Sequence, residues 1–415
     1  MDSMTHWRID GCRSCNNPDL TPVISLGEMP LANSLPAPQD IEKTEDVYPL
    51  DISFCSNCAL VQITETVSPE VLFSEYLYFS SYSDTVLSNA KDISRRMMAV
   101  RNLGENNLVV EIGSNDGYLL RNYAEAGVPV LGIEPASNVA VVAREEYGIL
   151  TVTEFFTEEF AGKLRAEGKR ADVIHANNVL AHVPQQNEFV RGIGNLLSDE
   201  GVAVIEVPYL RDLVEKCEFD TIYHEHLCYF SVTALNNLFA RNGLEIVDVE
   251  RIPIHGGTLR LFVSNQGVST ASGAVQAILT DESEIGMDRY GYYEGFAQRI
   301  EALKTSLRKT LIDLNSQGKT IAGYGAAAKG AVLLNYFELG SAEISYVVDR
   351  NPAKQSRFMP GVQIPISSPA RLLEQKPDYL LLLAWNFADE IIRQQAEFAK
   401  TGGKFIIPVP EVKII

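Results

Sequence analysis

The sequence has few positive charges and no long apolar run. Among its 415 residues, 35 are Lys or Arg and 54 are Asp or Glu, so the formal net charge is −19. A surface of this sign repels the phosphate backbone of nucleic acids. The most apolar segment, residues 379–385, is far shorter than the roughly 20 residues of a membrane-spanning helix, and the N-terminus shows no signal-peptide pattern. We therefore expect a cytoplasmic protein that binds neither nucleic acid nor membrane.

Cysteine is also scarce, with six residues in the chain. Four of them form two Cys-x-x-Cys pairs, Cys12 with Cys15 and Cys55 with Cys58. Two such pairs complete a tetrahedral four-thiolate site with no open position, so a bound zinc ion would be structural. Residues 1–70 hold little apolar material, and structural zinc would contribute on the order of 10 kcal/mol to their folding. Disulfide bonds and a redox-active pair are the alternatives.

The remaining chain alternates between apolar strands and helical periodicity. After a helix at 83–103, strands are predicted at 108–112, 130–133, 173–176 and 202–207, followed by an antiparallel pair at 244–251 and 259–264. A helical region at 272–316 precedes a second strand set at 320–324, 344–348, 379–384 and 404–407. Such alternation predicts an α/β fold with two parallel, doubly wound sheets. The expected domains are 1–70, 71–270 and 271–415.

The first α/β unit carries a glycine loop, Glu111-Ile-Gly113-Ser-Asn115-Asp-Gly117, directly after an apolar strand. Glycines let the backbone approach a ligand closely, and Glu134, at the end of the next strand, is suited to accept both ribose hydroxyl protons. The second glycine of a dinucleotide loop is missing. The pattern is therefore typical of S-adenosylmethionine methyltransferases, and a plain strand–turn–helix connection is the alternative.

Two polar segments follow the third and fourth strands of this unit. Asn177 and Asn178 could bind the amino-acid end of the cofactor or cap a helix. In Tyr223-His-Glu225-His226, a base, a carboxylate to orient it and a phenol to hold an oxyanion would suit proton abstraction beside a carbonyl. The His-x-His spacing also permits metal binding, and a solvated polar loop is the third interpretation.

The second α/β unit carries Gly323-Tyr-Gly-Ala-Ala-Ala-Lys329-Gly330, and Asp349 closes the next strand. Taken alone, this fingerprint predicts a dinucleotide-binding dehydrogenase. Lys329 offers a cation for a phosphate, and Asn351, Trp385 and Asn386 lie on nearby segments, so we expect a nucleotide-type ligand. The aromatic residues at 76–82 indicate core packing or a domain seam.

In combination, these motifs resemble the three-domain C-methyltransferases that act on nucleotide-linked 4-keto deoxysugars in antibiotic sugar pathways. The resemblance covers the cysteine pairs, residues 76–82, 111–117, 223–226, 255–257, 323–330 and 385–387. It implies an N-terminal zinc-binding domain, a central Rossmann-like S-adenosylmethionine domain and a C-terminal Rossmann-like domain. The last of these would bind the nucleotide-sugar and carry out no redox chemistry.

The resemblance also implies roles for individual residues. His226 would be the base, with Tyr223, Glu225 and Tyr76 around the reacting sugar; either Tyr76 or Tyr78 matches the family tyrosine. Cofactor contacts are expected from Glu111, Gly113, Asn115, Gly117, Glu134, Asn177 and Asn178. Substrate contacts are expected from Tyr78, His255, Lys329, Asn351, Trp385 and Asn386.

The implied reaction is methyl transfer to C3 of a 4-keto sugar through an enolate, by a monomer, with zinc outside the chemistry. Three alternatives remain open at this point. The substrate could be another keto compound of secondary metabolism. The protein could be a nicotinamide-dependent oxidoreductase that uses the C-terminal Rossmann-like domain. It could also be a zinc scaffold without catalytic activity.

Overall fold

Short strands from three stretches of the chain assemble into separate sheets. The structure, a computed structural model, describes residues 6–73, 77–254 and 256–415. Within these ranges the strands form sheets of four, seven and six members, together with an antiparallel pair of His6–Arg8 and Glu65–Val67. We refer to the larger three as the N-terminal, central and C-terminal sheets. The predicted α/β fold with a small N-terminal cysteine-rich unit is confirmed.

The N-terminal sheet is antiparallel and contains one strand from a distant part of the chain. Leu20–Pro30, Val47–Cys55 and Val61–Ile63 lie side by side, and Cys228–Tyr229 pairs with Val61–Ile63 at the edge. The sequence patterns at 21–26 and 60–63 are typical of short strands, which are present here, whereas no pattern predicted the Val47–Cys55 strand or the edge strand. The short helix Pro69–Phe73 follows this sheet.

The central sheet has five parallel strands and one antiparallel hairpin. The spatial order is Leu244–Ile252, Thr258–Asn265, Leu197–Pro208, Ala171–Asn177, Val109–Ile112, Val130–Ile133 and Thr151–Val152. Every predicted strand of this unit is present, and the short strand Thr151–Val152 was not predicted. Strands such as Val109–Ile112 are buried along their whole length, as expected for a parallel sheet that helices cover on both faces.

Seven helices connect and flank the central strands in the described part of the chain. They are Asp84–Arg101, Leu120–Ala124, Ser137–Glu145, Glu158–Ala166, Gln186–Leu196, Leu210–Glu215 and Val232–Arg241. The first of them begins at Ser83, whose hydroxyl accepts from the backbone N–H of Val86, and it ends at Asn102 in the left-handed conformation. These two residues account for the helix predicted at 83–103.

The C-terminal unit begins with two helices where the sequence predicted one helical region. Gly273–Ile285 and Phe296–Ser316 are separated at Gly286 and Gly295, which have positive φ angles of 83° and 81°. The sheet follows in the order Ile366–Ser367, Val347–Val348, Ile321–Tyr324, Tyr379–Leu382, Lys404–Ile407 and Lys413–Ile414. Its helices are Ala328–Tyr336, Arg371–Gln375, Ala388–Gln394 and Ala396–Lys400.

The strand order reverses once in each of the two larger sheets. The reversal lies between Val109–Ile112 and Ala171–Asn177 in the central sheet, and between Ile321–Tyr324 and Tyr379–Leu382 in the C-terminal sheet. Ligands of open α/β sheets bind in the crevice at the carboxyl ends of such strands. Both crevices are therefore expected to hold ligands. Among the described residues, no helix combines the length and the apolar character needed to cross a bilayer.

Candidate active site

The two crevices open into one cavity of about 600 Å³. Asn33 contributes to its wall from the N-terminal unit, and the carboxyl ends of the central and C-terminal strands supply most of the remainder. The predicted site residues that line it are Tyr78, Gly113, Asn115, Glu134, Asn177, Asn178, Tyr223, His226, Lys329, Asn351 and Asn386. Four others, Glu111, Gly117, Glu225 and Trp385, lie outside the cavity lining. Tyr76 and His255 fall outside the described residues.

The glycine loop of the central sheet has the shape of a ligand cradle. Gly113 has a φ of +66°, and a Cβ atom there would lie 2.6 Å from Cγ2 of Val179. Gly117 has a φ of +81°, so both glycines are required by conformation. Glu134 closes the far side of the loop: its carboxylate accepts from the backbone N–H groups of Asn115 at 2.8 Å and Ala136 at 2.9 Å. Burial raises the pKa of Glu134 to about 7.

Glu111 and Asn115 were expected to contact the cofactor. The structure gives them a supporting position in the loop, which the sequence pattern did not predict. Glu111 is almost completely buried, and burial, followed by the nearby carboxylates of Asp116 and Glu134, raises its pKa well above the usual value. The side chain of Asn115 accepts from the N–H of Ser80 at 2.9 Å and donates to the carbonyl of Tyr78 at 3.1 Å. Asn115 thus connects the glycine loop to the aromatic segment 77–82.

The aromatic segment 77–82 is held from the opposite side as well. The Nδ2 group of Asn351 donates to the carbonyl oxygen of Leu77 over 2.7 Å, and Tyr78, Phe79 and Tyr82 line the cavity. The segment therefore forms a wall between the glycine loop and the C-terminal unit, which agrees with the domain-seam interpretation of its aromatic residues.

Asn177 ends the strand Ala171–Asn177 and Asn178 follows it, and the side-chain oxygens of both residues accept no hydrogen bond from the described residues. Their Oδ1 atoms are buried and have no hydrogen-bond partner among the described residues, and both residues line the cavity. The turn that follows starts after Val179 without a side-chain cap, so capping does not account for them. Buried carbonyl-type oxygens without donors fit a ligand that brings N–H groups, such as the ammonium end of an amino acid.

His226 and Tyr223 form a hydrogen-bonded pair on the cavity wall. Nε2 of His226 lies 2.8 Å from the hydroxyl of Tyr223, and Nδ1 lies 2.8 Å from the carbonyl oxygen of Thr221. A carbonyl oxygen can only accept, so Nδ1 carries a proton, and in the neutral ring Nε2 then keeps its lone pair. Burial raises the pKa of Tyr223 well above its usual value, so the phenol is the donor to Nε2. The arrangement provides a neutral base beside a protonated phenol.

The two residues between this pair point to the N-terminal unit. Oε1 of Glu225 accepts from Nδ2 of Asn33 over 2.7 Å, and Nε2 of His224 lies 3.2 Å from the carbonyl oxygens of Tyr48 and Pro49. Both residues are buried. They connect the loop 223–226 to the N-terminal sheet.

His182 is a site residue that the sequence did not single out. Its ring centroid lies 4.8 Å from that of His226, it lines the cavity, and burial lowers its pKa to about 4. A neutral imidazole beside the base is compatible with hydrogen bonding to a substrate oxygen. The only signal in the sequence was its place in the polar segment after the third strand.

The four paired cysteines form a compact cluster that fits a zinc ion. Their sulfur atoms all lie within 4.8 Å of one another, with Cys12 to Cys58 and Cys15 to Cys55 at 3.5 Å, and none is in a disulfide. Zinc–sulfur bonds of about 2.3 Å place tetrahedral sulfurs about 3.8 Å apart. Within the described residues no other cluster of three or more ligand side chains occurs, which leaves the His-x-His segment outside any metal site.

The C-terminal wall of the cavity carries more cations than carboxylates, the latter being Asp349 and Glu390. Lys329, Arg350 and Lys354 line it, and Gly325 has a φ of +96° where a Cβ atom would lie 2.8 Å from that of Ala384. Trp385 does not line the cavity: its indole N–H donates to Asp220 over 2.6 Å. A basic surface beside the start of the helix Ala328–Tyr336 suits a phosphate-bearing ligand.

A central sheet of this topology with a glycine loop and a ribose-type acid defines a Rossmann-like methyltransferase. Three family models match the chain: a zinc binding domain at residues 12–73, a methyltransferase domain at 85–249 and a C-methyltransferase C-terminal domain at 253–410. C-methyltransferase NovU of Streptomyces niveus is 37% identical over 408 residues, which cover 98% of this chain and 97% of NovU. The chain therefore belongs to the three-domain C-methyltransferase family.

More distant similarities concern parts of the chain. The ubiquinone biosynthesis O-methyltransferase of Azorhizobium caulinodans is 28% identical over 97 residues, covering 23% of this chain and 38% of that protein. Among solved structures, the CcbJ methyltransferase of Streptomyces caelestis shows 17% identity, a TM-score of 0.33, and coverage of 44% of this chain and 90% of its own.

Family membership sets aside the oxidoreductase and scaffold alternatives. The protein is an S-adenosylmethionine-dependent C-methyltransferase, and it binds zinc through its N-terminal unit. The geometry fits both: the glycine cradle and the donor-free oxygens of Asn177 and Asn178 suit the cofactor, and the cysteine cluster suits the metal.

Removal of zinc should loosen the loop 223–226 more than the glycine loop and its surroundings. The strand Val61–Ile63 follows Cys58 closely and pairs with Cys228–Tyr229, just after residues 223–226. In the Cys58→Ser variant, hydrogen exchange followed by mass spectrometry should show lost protection at 223–229. The dissociation constant for S-adenosylmethionine should change by less than about tenfold, or 1.4 kcal/mol. Cys217→Ser, outside the cluster, is the matched control, and equal loss of cofactor binding would contradict the expectation.

Cofactor affinity should depend on the ionisation of Glu134. Only the carboxylate can accept two ribose hydroxyl protons, and the raised pKa of about 7 means that the free protein is protonated at lower pH. Binding must then release this proton, so the dissociation constant should rise about tenfold per pH unit below pH 7. Calorimetry of wild type and Glu134→Gln tests this: the variant should bind more weakly at pH 8 and lose the slope. A slope that persists in the variant would assign it to another group.

Proposed function

We propose that this C-methyltransferase transfers a methyl group to C3 of a nucleotide-linked 4-keto-deoxysugar. The observation that carries the proposal is the single cavity in which the glycine loop, the Tyr223–His226 pair and the basic C-terminal wall meet. These three features match the three requirements of the reaction: a methyl donor, a base beside a carbonyl and a site for a nucleotide diphosphate. C-methylation of another keto compound is the alternative, and no feature of the described residues favours it.

The keto group of such a sugar acidifies the hydrogen on C3. Nε2 of His226 would accept this proton once the sugar displaces the Tyr223 hydroxyl from it. That hydroxyl could then donate to the enolate oxygen, a contribution typically of about 3–4 kcal/mol per well-placed donor. Bound S-adenosylmethionine supplies an electrophilic methyl group on its sulfonium. The segment 77–82 and the glycine loop would hold the two reactants close and exclude water.

The nucleotide would occupy the C-terminal end of the cavity. Lys329, Arg350 and Lys354 place three cations on this wall in a chain of net charge −19. Concentrated positive charge in an acidic protein is expected where an anionic ligand binds. Asn351, Asn386 and Tyr78 complete the proposed sugar-nucleotide contacts.

For the cofactor we propose a division between direct contacts and support. Gly113, Glu134, Asn177 and Asn178 would contact it, whereas Glu111, Asn115 and Gly117 would shape the loop. We also propose three domains, at residues 1–70, 71–270 and 271–415. The three family models, at 12–73, 85–249 and 253–410, support this number and order of domains. A monomer is proposed because residues of one chain supply the cavity walls described above.

The substrate class can be tested directly. Purified protein and S-adenosylmethionine should be incubated with a panel of nucleotide-linked 4-keto sugars and with simple cyclic ketones. Mass spectrometry should detect a gain of one CH₂ unit, about 14 mass units, only with the nucleotide-linked sugars because only they reach the basic wall. Methylation of a simple ketone at equal efficiency would favour the alternative substrate class.

His226→Asn should abolish proton removal without affecting the cofactor site. General-base contributions are typically 10²- to 10⁴-fold, so turnover should fall by about that factor. In the absence of cofactor, wild-type protein should exchange the C3 proton of the keto-sugar with deuterated water, as NMR would show, and the variant should not. Binding of S-adenosylmethionine should be unchanged. His6→Asn, which alters a histidine that does not line the cavity, is the control; full exchange in His226→Asn would exclude this base.

A further inference from the structure

A short turn, residues 219–221, lies between the loop 223–226 and the C-terminal unit. Its Phe219 ring stacks on Phe337 with centroids 4.8 Å apart, and its Thr221 carbonyl accepts the Nδ1 proton of His226. Two side chains of the C-terminal unit, Lys329 and Trp385, contact Asp220, and Lys329 also contacts Thr221. The sequence had assigned both to substrate binding.

We propose that Asp220, Lys329 and Trp385 form a positioning cluster that holds the Thr221 carbonyl against Nδ1 of His226 and so fixes the tautomer of the catalytic base. The proposal rests on the proposed role of His226. It gives Trp385 a positioning role and adds a second role to Lys329, which also lines the cavity.

Asp220 is the buried centre of the cluster. Its side chain has no solvent exposure; one carboxylate oxygen accepts from the indole N–H of Trp385 at 2.6 Å, and the other lies 3.8 Å from Nζ of Lys329. Burial raises the pKa of this carboxyl, while Lys329 and the indole donor lower it. A buried carboxylate is strongly destabilised if its partners are removed. The position of Asp220 therefore depends on the C-terminal unit.

Lys329 connects the same unit to the next residue of the turn. Its ammonium group donates to the hydroxyl of Thr221 and lies 4.9 Å from the centre of the Trp385 ring. Consecutive residues, Asp220 and Thr221, are thus held through their side chains by one unit, and their backbone direction is fixed. That direction determines where the Thr221 carbonyl points.

The carbonyl in turn determines which imidazole nitrogen carries the lone pair. With Nδ1–H bonded to Thr221, the lone pair lies on Nε2, next to Tyr223 and facing the cavity. If the carbonyl moved away, the proton could reside on either nitrogen, and Nε2 would be a base for only part of the molecules. A second-sphere acceptor that sets a histidine tautomer is a recurrent device in active sites.

The test is Trp385→Phe, which removes one N–H group and keeps an aromatic ring under Lys329. In protein labelled with ¹⁵N-histidine, the free wild type should show His226 as the Nδ1–H tautomer, assigned by comparison with His226→Asn. The Trp385→Phe variant should show averaged tautomer shifts, and kcat should fall about 10- to 100-fold while KM stays within about twofold, because a displaced catalytic group loses rate more than binding.

Trp7→Phe alters the other tryptophan of the chain, on the strand His6–Arg8, and serves as the matched control. If Trp385→Phe fails to fold, Lys329→Met should give the same tautomer averaging, and Lys329→Arg should restore the wild-type spectrum. A wild-type tautomer in a folded Trp385→Phe or Lys329→Met variant would overturn the proposal. The NMR measurement needs no substrate, so its outcome is independent of whether keto-sugars are methylated.

Discussion

The site depends on one backbone interaction, the antiparallel pairing of Cys228–Tyr229 with the strand Val61–Ile63. Cys228 lies opposite Gln62 and Tyr229 opposite Val61, and the N–H of Ile63 donates to the carbonyl of Leu227. In a strand pair, a slip by one residue would turn every side chain to the other face. The pairing therefore fixes the direction in which the preceding residues, 223–226, leave the sheet. The cysteine cluster stabilises the turn that starts this strand, so a structural metal there would also determine the position of His226, the proposed base.

The two ends of the cavity differ in their charged groups: buried acids surround the glycine loop, whereas Lys329, Arg350 and Lys354 outnumber Asp349 and Glu390 at the other end. Around the glycine loop, burial raises the pKa values of Glu111, Asp116 and Glu134 because it disfavours their charged forms. A cationic ligand would stabilise these carboxylates. At the other end, Lys329 and Lys354 line the wall. The sulfonium cofactor and the proposed diphosphate substrate would each be favoured electrostatically at one end of the cavity. Opposed fields of this kind confer specificity of placement more than affinity.

Local features of the fold and of the site could be predicted from the sequence, whereas contacts between units could not. The conformation of Gly113 and Gly117 and the strands around them follow from patterns a few residues long. Tyr223 and His226, three residues apart on one turn, were also predictable as neighbours. The contact of Asp220 with Trp385 joins residues 165 positions apart in the chain, and it depends on how two separately folded sheets pack. For Trp385 the sequence predicted a substrate contact, whereas the indole N–H donates to Asp220 and the residue does not line the cavity.

The choice of a carbonyl to hold Nδ1 of His226 has a chemical consequence. The sequence suggested a carboxylate for this task, and the structure places the Thr221 carbonyl there. A carboxylate would stabilise the imidazolium before any substrate bound and would compete for the proton. A neutral carbonyl fixes the same tautomer without that charge. In the proposed reaction, the counter-charge of the imidazolium that forms on removal of the C3 proton would be the enolate itself. Electrostatic stabilisation would then appear as the proton is transferred, which is where it accelerates a reaction.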